Sequence, residues 1–243
     1  MSHSFEPDSQ AFVVPNVKWG RPDELFTPSY WKHQAEAATP EEHSTAFRLG
    51  ATLEEEVVAC LLGGYGIPAE VGIAAFNRLR DRGVFRGRPP SSSEIQHLLG
   101  EPLMVGSTSV RYRFARQKSE YVAAALMQFR NEWPSDSAHR PFREWLLRLK
   151  GVGLKTASWI TRNWLASDEV AIIDVHIYRA GLLSGLFLSH EAPVTSYRSM
   201  EERFLRFASA IGVRTSVLDS VIWRQMRIAR RLVVRLLGTI SGQ

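Results

Sequence analysis

Lys155 and Asp174 stand nineteen residues apart, and each sits where a helix is about to begin. Lys155 follows two glycines placed two apart, in LKGVGLKTA (149–157); Asp174 ends the apolar run of AIIDVHI (171–177). An unprotonated lysine amine is a nucleophile that forms Schiff bases. A carboxylate near it can stabilise positive charge that develops in a transition state, and can orient the amine or relay its proton. Burial favours the free amine, whereas an anionic neighbour favours the ammonium, and the residues alone leave that balance open. Each side chain also has a plain structural reading. A first-turn lysine is ordinarily solvated, and an aspartate before a helix is ordinarily an N-cap worth on the order of 1 kcal/mol. Asp174 can serve both ends, with one oxygen capping and the other turned to a reacting group.

The elements around the pair fit this chemistry. Gly151 and Gly153 make a tight turn whose backbone can approach another surface closely. The helix opening at Leu154 then presents free N–H groups and the positive end of its dipole, a seat for phosphate. Such a contact positions a nucleic acid without reading its bases. The alternative is a glycine-rich turn joining two packed helices. Trp159 lies four residues beyond Lys155, on the same helical face, where an indole stacks on a planar partner or packs into the core.

The whole chain has 243 residues, 44% hydrophobic and 23% charged, with a formal net charge of +5. That composition is globular, and its sequence pI of about 9.6 suits a polyanionic partner. The single cysteine, Cys60, allows no internal disulfide and points to a reducing, intracellular (cytoplasmic) setting. One thiolate cannot hold a four-iron cluster. No stretch approaches the roughly 20 apolar residues of a membrane helix, and MSHSFEPDSQ lacks the features of a secretory signal. His and carboxylates never recur at metal-ligand spacing, so no cofactor is expected.

The pattern predicts an all-α body. Residues 1–45 read as an arm or cap with an extended piece at 12–14. Helices follow at 53–62 behind a Thr52/Glu55 capping box, at 69–80, and after Ser91/Glu94 up to Gly100. Others run from near Arg113 to Phe129, from a first-turn Pro141 to Lys150, over 154–164 and 175–186, and near 195–211 and 216–237. No alternating strand is expected in the body.

The hairpin, with an aspartate at this distance, resembles the helix-hairpin-helix superfamily of DNA glycosylases. In that superfamily lysine at the position of Lys155 marks enzymes that are also abasic-site lyases. RYRFARQKSEYV (111–122), AIIDVHIYRAG (171–181) and SVLDSVIW (216–223) resemble the archaeal-type 8-oxoguanine branch. Lys150 stands where the family often has proline. The resemblance covers roughly residues 46–230 and implies a two-lobed helical domain over 46–243, with a central cleft and the hairpin at 141–165.

It also implies roles. Lys155 attacks the sugar of an everted nucleotide, Asp174 assists, and Gly151, Gly153, Leu154, Thr156 and His176 face DNA. Trp159, Asp219 and Trp223 line a base pocket, and Tyr65 or Ile67 in LGGYGIP (62–68) fills the hole left in the duplex. The carbonyls of Leu147, Leu149 and Val152 could hold a monovalent cation. Against these stand a core indole for Trp159, a surface carboxylate for Asp219, a packed Tyr65 in a plain turn, and a packed or phosphate-touching His176. The expected protein is a monomeric, DNA-associated bifunctional glycosylase/lyase on duplex DNA with a modified base, 8-oxoguanine first. Two alternatives remain open: the same fold acting on an alkylated or hypermodified base such as those of phage DNA, with or without the lyase step, and a non-catalytic DNA-holding module.

Overall fold

A computed structural model describes residues 8–39, 47–64 and 66–240, of Ile240 the backbone only. In chain order the elements begin with strands β1 (Phe12–Val14) and β2 (Val17–Lys18), then helices α1 (Pro28–Glu36), α2 (Leu53–Leu62), α3 (Ala69–Asp81) and α4 (Ser92–Gly100). Strands β3 (Leu103–Val105) and β4 (Thr108–Val110) precede α5 (Ala115–Asn131), α6 (His139–Leu146) and α7 (Leu154–Leu165). The chain closes with α8 (Val175–Leu183), α9 (Pro193–Ala210), α10 (Thr215–Ile228) and α11 (Arg230–Ile240). The class is all-α, with two small hairpins among the described residues. These fall into two compact units, one within Phe47–Trp164 and the other within Met1–Ala46 together with Leu165–Gln243. No described helix is long and apolar enough to cross a membrane.

In the 47–164 unit, α5 packs on α2 and α4, and Val57, Leu61, Leu99, Val122 and Leu126 lie in the core. Ser91 and Glu94 form a complete capping box at the start of α4. At α2 the box is half formed: Thr52 accepts from the Glu55 N–H, but the Glu55 carboxylate turns to the N–H of Ala51. The approach to α2 is held by Glu56, which is fully buried and accepts from the N–H groups of Leu49 (2.5 Å) and Gly50 (2.9 Å). Arg48 donates to the carbonyls of Asn163 and Trp164, supplying positive charge at the C-terminal end of α7.

In the other unit α10 packs on α1, α8 and α9. Residues 12–14 are extended as expected, but the segment read as an arm also holds a helix. Thr27 caps α1 and Pro28 starts it; in PSYWKHQAE the apolar stripe is too thin to show a period. Lys32 donates to the Ile211 carbonyl, and Gln225 donates to Gln34.

Other expectations need correction. The body does contain strands: β3 and β4 pair antiparallel in the register Leu103↔Val110 and Val105↔Thr108, around Gly106 at φ +58°. Three residues put at most two side chains on one face, too few to display alternation. The α6 helix begins at His139 rather than at Pro141, which occupies its third position. Proline is tolerated there because the first N–H groups of a helix have no intrahelical acceptor. The same helix ends at Leu146, four residues early, where the chain turns into the hairpin. The α8 helix ends at Leu183, ahead of Gly185 at φ +75°. The last expected helix is two, α10 and α11, meeting at Ala229.

At the α4 cap the Glu94 carboxyl is lowered to about 2 by the Ser91 backbone N–H first, then by the Ser91 hydroxyl and Arg88. Its lowered folded-state value means that this contribution to stability is present above pH 4.5 and is lost as the pH falls towards 2. Ser91→Ala should cost on the order of 1 kcal/mol in urea unfolding. By NMR titration it should also raise the Glu94 value part of the way back, since the backbone N–H remains.

Candidate functional site

The hairpin takes its shape from a short ladder of backbone bonds. Beyond α6, Arg148 N–H donates to Trp145, Leu149 N–H to Leu146, and Val152 N–H to Leu149 at 3.1 Å. Gly151 then turns the chain at φ +88°, and a Cβ there would run into the Tyr121 ring. Both the left-handed backbone and the aromatic neighbour therefore demand glycine. Gly153 differs: its φ lies outside the left-handed region, and a Cβ on it would meet nothing within 4 Å. Nothing among the described residues explains that glycine.

Immediately after it α7 opens, with its first bond from Ala157 N–H to the Gly153 carbonyl. Lys155 is exposed in the first turn, beside half-buried Leu154 and Thr156. The plain reading of a solvated first-turn lysine therefore holds in the unbound chain. Trp159 is half-buried, and its indole Nε1 is buried with no hydrogen-bond partner among the described residues. A core indole would normally satisfy that donor. Lys150, in place of the family's proline, pairs with Glu120 at 3.1 Å and sits 5.7 Å from the Tyr121 ring centroid.

Asp174 is built quite differently. The run Val170–Ile173 is buried and irregular, and it belongs to no sheet. Its peptide groups are served by side chains of α9. The Tyr197 hydroxyl accepts from Ile173 N–H (3.1 Å) and donates to the Ala171 carbonyl (2.9 Å), while Glu201 accepts from Ala171 N–H (3.0 Å). At the end of this held segment Asp174 caps α8, Oδ1 accepting from His176 N–H (2.8 Å) and Ile177 N–H (2.9 Å). The capping reading is therefore correct. Two amides hold one carboxylate oxygen, and this orients the other.

Three of the expected residues gather beside Asp174 in the same unit. The half-buried His176 ring meets Trp223 edge-on at 6.3 Å, and Asp219 lies one turn before Trp223 on α10. Asp219 is 6% exposed, so it is no surface carboxylate, while Trp223 is 40% exposed. Sequence reasoning did not place Arg227 here, where its guanidinium lies 4.4 Å from the Trp223 ring centroid. It also missed Tyr197 and Glu201, which no local motif announces.

In the 47–164 unit the loop between α2 and α3 carries Ile67, half-buried; Tyr65 lies outside the described residues. The loop's base is tied to the following elements, Tyr112 donating to the Leu62 carbonyl (2.6 Å) and Lys118 to that of Gly63 (3.2 Å). Burial lowers the Lys118 ammonium pKa from its ordinary value. Among the described residues no three His, Cys, Asp or Glu side chains gather as a metal site.

Tyr197→Phe would strip partners from Ile173 N–H and the Ala171 carbonyl, both buried. It should cost about 2 kcal/mol in denaturant unfolding, the scale of buried polar groups left unsatisfied, and exchange of the Ile173 amide should speed up.

Known proteins agree with this architecture. The sequence model of one family, described as 8-oxoguanine DNA glycosylase, matches residues 42–213. A relative in Saccharolobus islandicus, an 8-oxoguanine DNA glycosylase/AP lyase, is 30% identical over 125 residues, 47% of this chain and 59% of its own length. The match thus spans under two thirds of that relative. Two crystal structures share the fold. The 8-oxoguanine DNA glycosylase of Thermotoga maritima gives a TM-score of 0.54 at 22% identity, over 81% of this chain and 93% of its own. The Methanocaldococcus jannaschii 8-oxoguanine glycosylase/lyase, in complex with a 15mer DNA containing 8-oxoguanine, gives 0.51 at 23%, over 81% and 87%. With a family match over most of its length, a lysine-bearing hairpin and a capping aspartate, this chain belongs to the 8-oxoguanine DNA glycosylase family.

Proposed function

We propose that this protein is a monomeric, intracellular DNA glycosylase and abasic-site lyase that removes 8-oxoguanine from duplex DNA. The observation that carries this reading is the pair of helix starts in a chain of this family. One bears an exposed lysine after an unexplained open glycine. The other bears an aspartate with one oxygen locked and one available. The names of the matched relatives support the same chemistry.

In this mechanism the Lys155 amine attacks C1′ of an everted nucleotide. The C1′–N bond breaks, its electron pair leaves with the base, and the proton shed by the amine is relayed through Asp174 to the departing base. Positive charge on the sugar is stabilised by the Asp174 carboxylate as it develops. The covalent amine then opens the sugar to a Schiff base, which acidifies C2′. Loss of a C2′ proton expels the 3′ phosphate by β-elimination. Entry of DNA supplies the dry surroundings that the exposed Lys155 lacks in the free chain. The α7 N-terminus and Gly153 meet backbone phosphate, Trp159 and Trp223 are the aromatic side chains available to stack on the extruded base, and Asp219 accepts from its N–H. Ile67 stands at the gap in the duplex.

Borohydride reduction with an 8-oxoguanine duplex should trap a covalent protein–DNA adduct. Lys155→Gln should abolish the adduct. Asp174→Asn keeps a capping oxygen, so it should retain the thermal midpoint while losing at least about 100-fold in base release, the scale of one positioned acid–base group. Unchanged release in Asp174→Asn would remove that residue from the mechanism. Base release by Lys155→Gln would instead mark water as the nucleophile. Gly153→Ala should cost less than about 1 kcal/mol of stability, yet weaken binding to undamaged duplex, because the added methyl meets only the approaching phosphate.

A further inference from the structure

The chain's positive charge is concentrated in one place. It has 30 Lys and Arg against 25 Asp and Glu; beyond Asp219 lie five arginines and no acidic residue. The remaining chain therefore balances, 25 cations to 25 anions, and the whole net charge of +5 belongs to the last 24 residues. The five arginines lie at the end of α10 and on α11.

We infer that the exposed arginine face of α10 and α11 is a binding surface for the phosphodiester backbone of DNA, extending outward from Trp223. Trp223, Arg227, Arg231 and Arg235 recur every four residues. Ala229 closes α10 through its N–H to Gln225 and opens α11 through its carbonyl, which accepts from Val233 N–H. Trp223 and Arg227 stand one turn apart on α10, and Arg231 and Arg235 one turn apart on α11, each pair on one face of its helix; at 1.5 Å per residue the row is at most about 18 Å long. A duplex carries on the order of ten phosphates over that length.

The opposite face is already spent. Met226 and Val233, both 1% exposed, pack into the protein, where α11 meets α8. Arg227, Arg230, Arg231 and Arg235 are exposed, and the last three pair with no described carboxylate. Arg227 already touches the Trp223 ring, which makes the row continuous with the proposed base site. Charge complementarity and this continuity select DNA over the other partners that exposed Ile228 and Leu232 would suit, an anionic membrane or a second copy of the chain.

The surface rests on the proposed function but is tested apart from it, with the full chain and an undamaged duplex. Anisotropy from about 50 to 200 mM salt gives the slope of log K against log salt. Arg231→Gln/Arg235→Gln, both at exposed positions, should weaken binding by about tenfold or more at 0.1 M salt. It should also make the slope shallower by about 1.8, two phosphate contacts at 0.9 each. Arg231→Lys/Arg235→Lys should restore the slope, since phosphate contacts need charge rather than a planar fork. Equal slopes for the wild type and the glutamine variant would overturn the surface while leaving the glycosylase reading intact. So would an unchanged slope accompanied by variant-sensitive binding to phosphatidylserine vesicles, or by variant-sensitive self-association. A wild-type chain that binds duplex but gives no borohydride adduct would instead defeat the proposed chemistry and leave the surface standing.

Discussion

Buried backbone must find partners for its peptide groups, and the stretch Val170–Ile173 has no sheet in which to find them. The constraint is met by two side chains of α9, Tyr197 and Glu201, which replace a neighbouring strand. Everything at the α8 end of the site follows from that substitution. The run delivers Asp174 at the point where α8 starts, and the orphan N–H groups of His176 and Ile177 then claim one carboxylate oxygen. The position of an acid that could act on a sugar is thus set by unsatisfied amides on one side and a tyrosine hydroxyl on the other. Neither demand is chemical in origin, yet together they leave the second oxygen with a defined direction.

The hairpin solves a different problem, that of exposing a helix start. Gly151 and Gly153 look alike in the sequence but are glycine for unlike reasons. Gly151 is required by a left-handed backbone and by the Tyr121 ring beside it, whereas Gly153 faces open space. An open glycine next to a helix N-terminus is what close approach of a foreign backbone requires. One turn further along α7 the indole N–H of Trp159 is buried without a hydrogen-bond partner among the described residues.

Charge adds a third layer. The body of the protein is electrically balanced and its C-terminal helices are not. A helix buried along one stripe leaves its remaining surface open to a partner without loss to the core, and on α11 that surface carries arginine. Steering by such a localised patch acts over about a Debye length, near 8 to 10 Å at moderate salt. It therefore matters most in the last approach to a polyanion.

Much of this was legible in the linear order of residues because it is local. Glycine spacing, the capping signals at Ser91 and Asp174, and the apolar periods of α2, α3, α5 and α7 depend on neighbours within a few positions. The hairpin lysine and the aspartate nineteen residues later, which identify the family, are likewise each read from the residues immediately around them. Short elements escaped because they carry too few residues to display a period: α1 with its thin apolar stripe, and the three-residue strands around Gly106. What only the tertiary structure decided is the support. Tyr197 reaches the 171–173 backbone from a helix some 25 residues on, Tyr121 presses on Gly151 from α5, and Arg227 meets Trp223 because α10 presents both on one exposed face. Burial belongs with these, since it made Asp219 a buried acid and left Lys155 in solvent. Residue identity sets what a side chain can do; whether water is removed from it depends on which distant segments fold over it, and no local spacing records that.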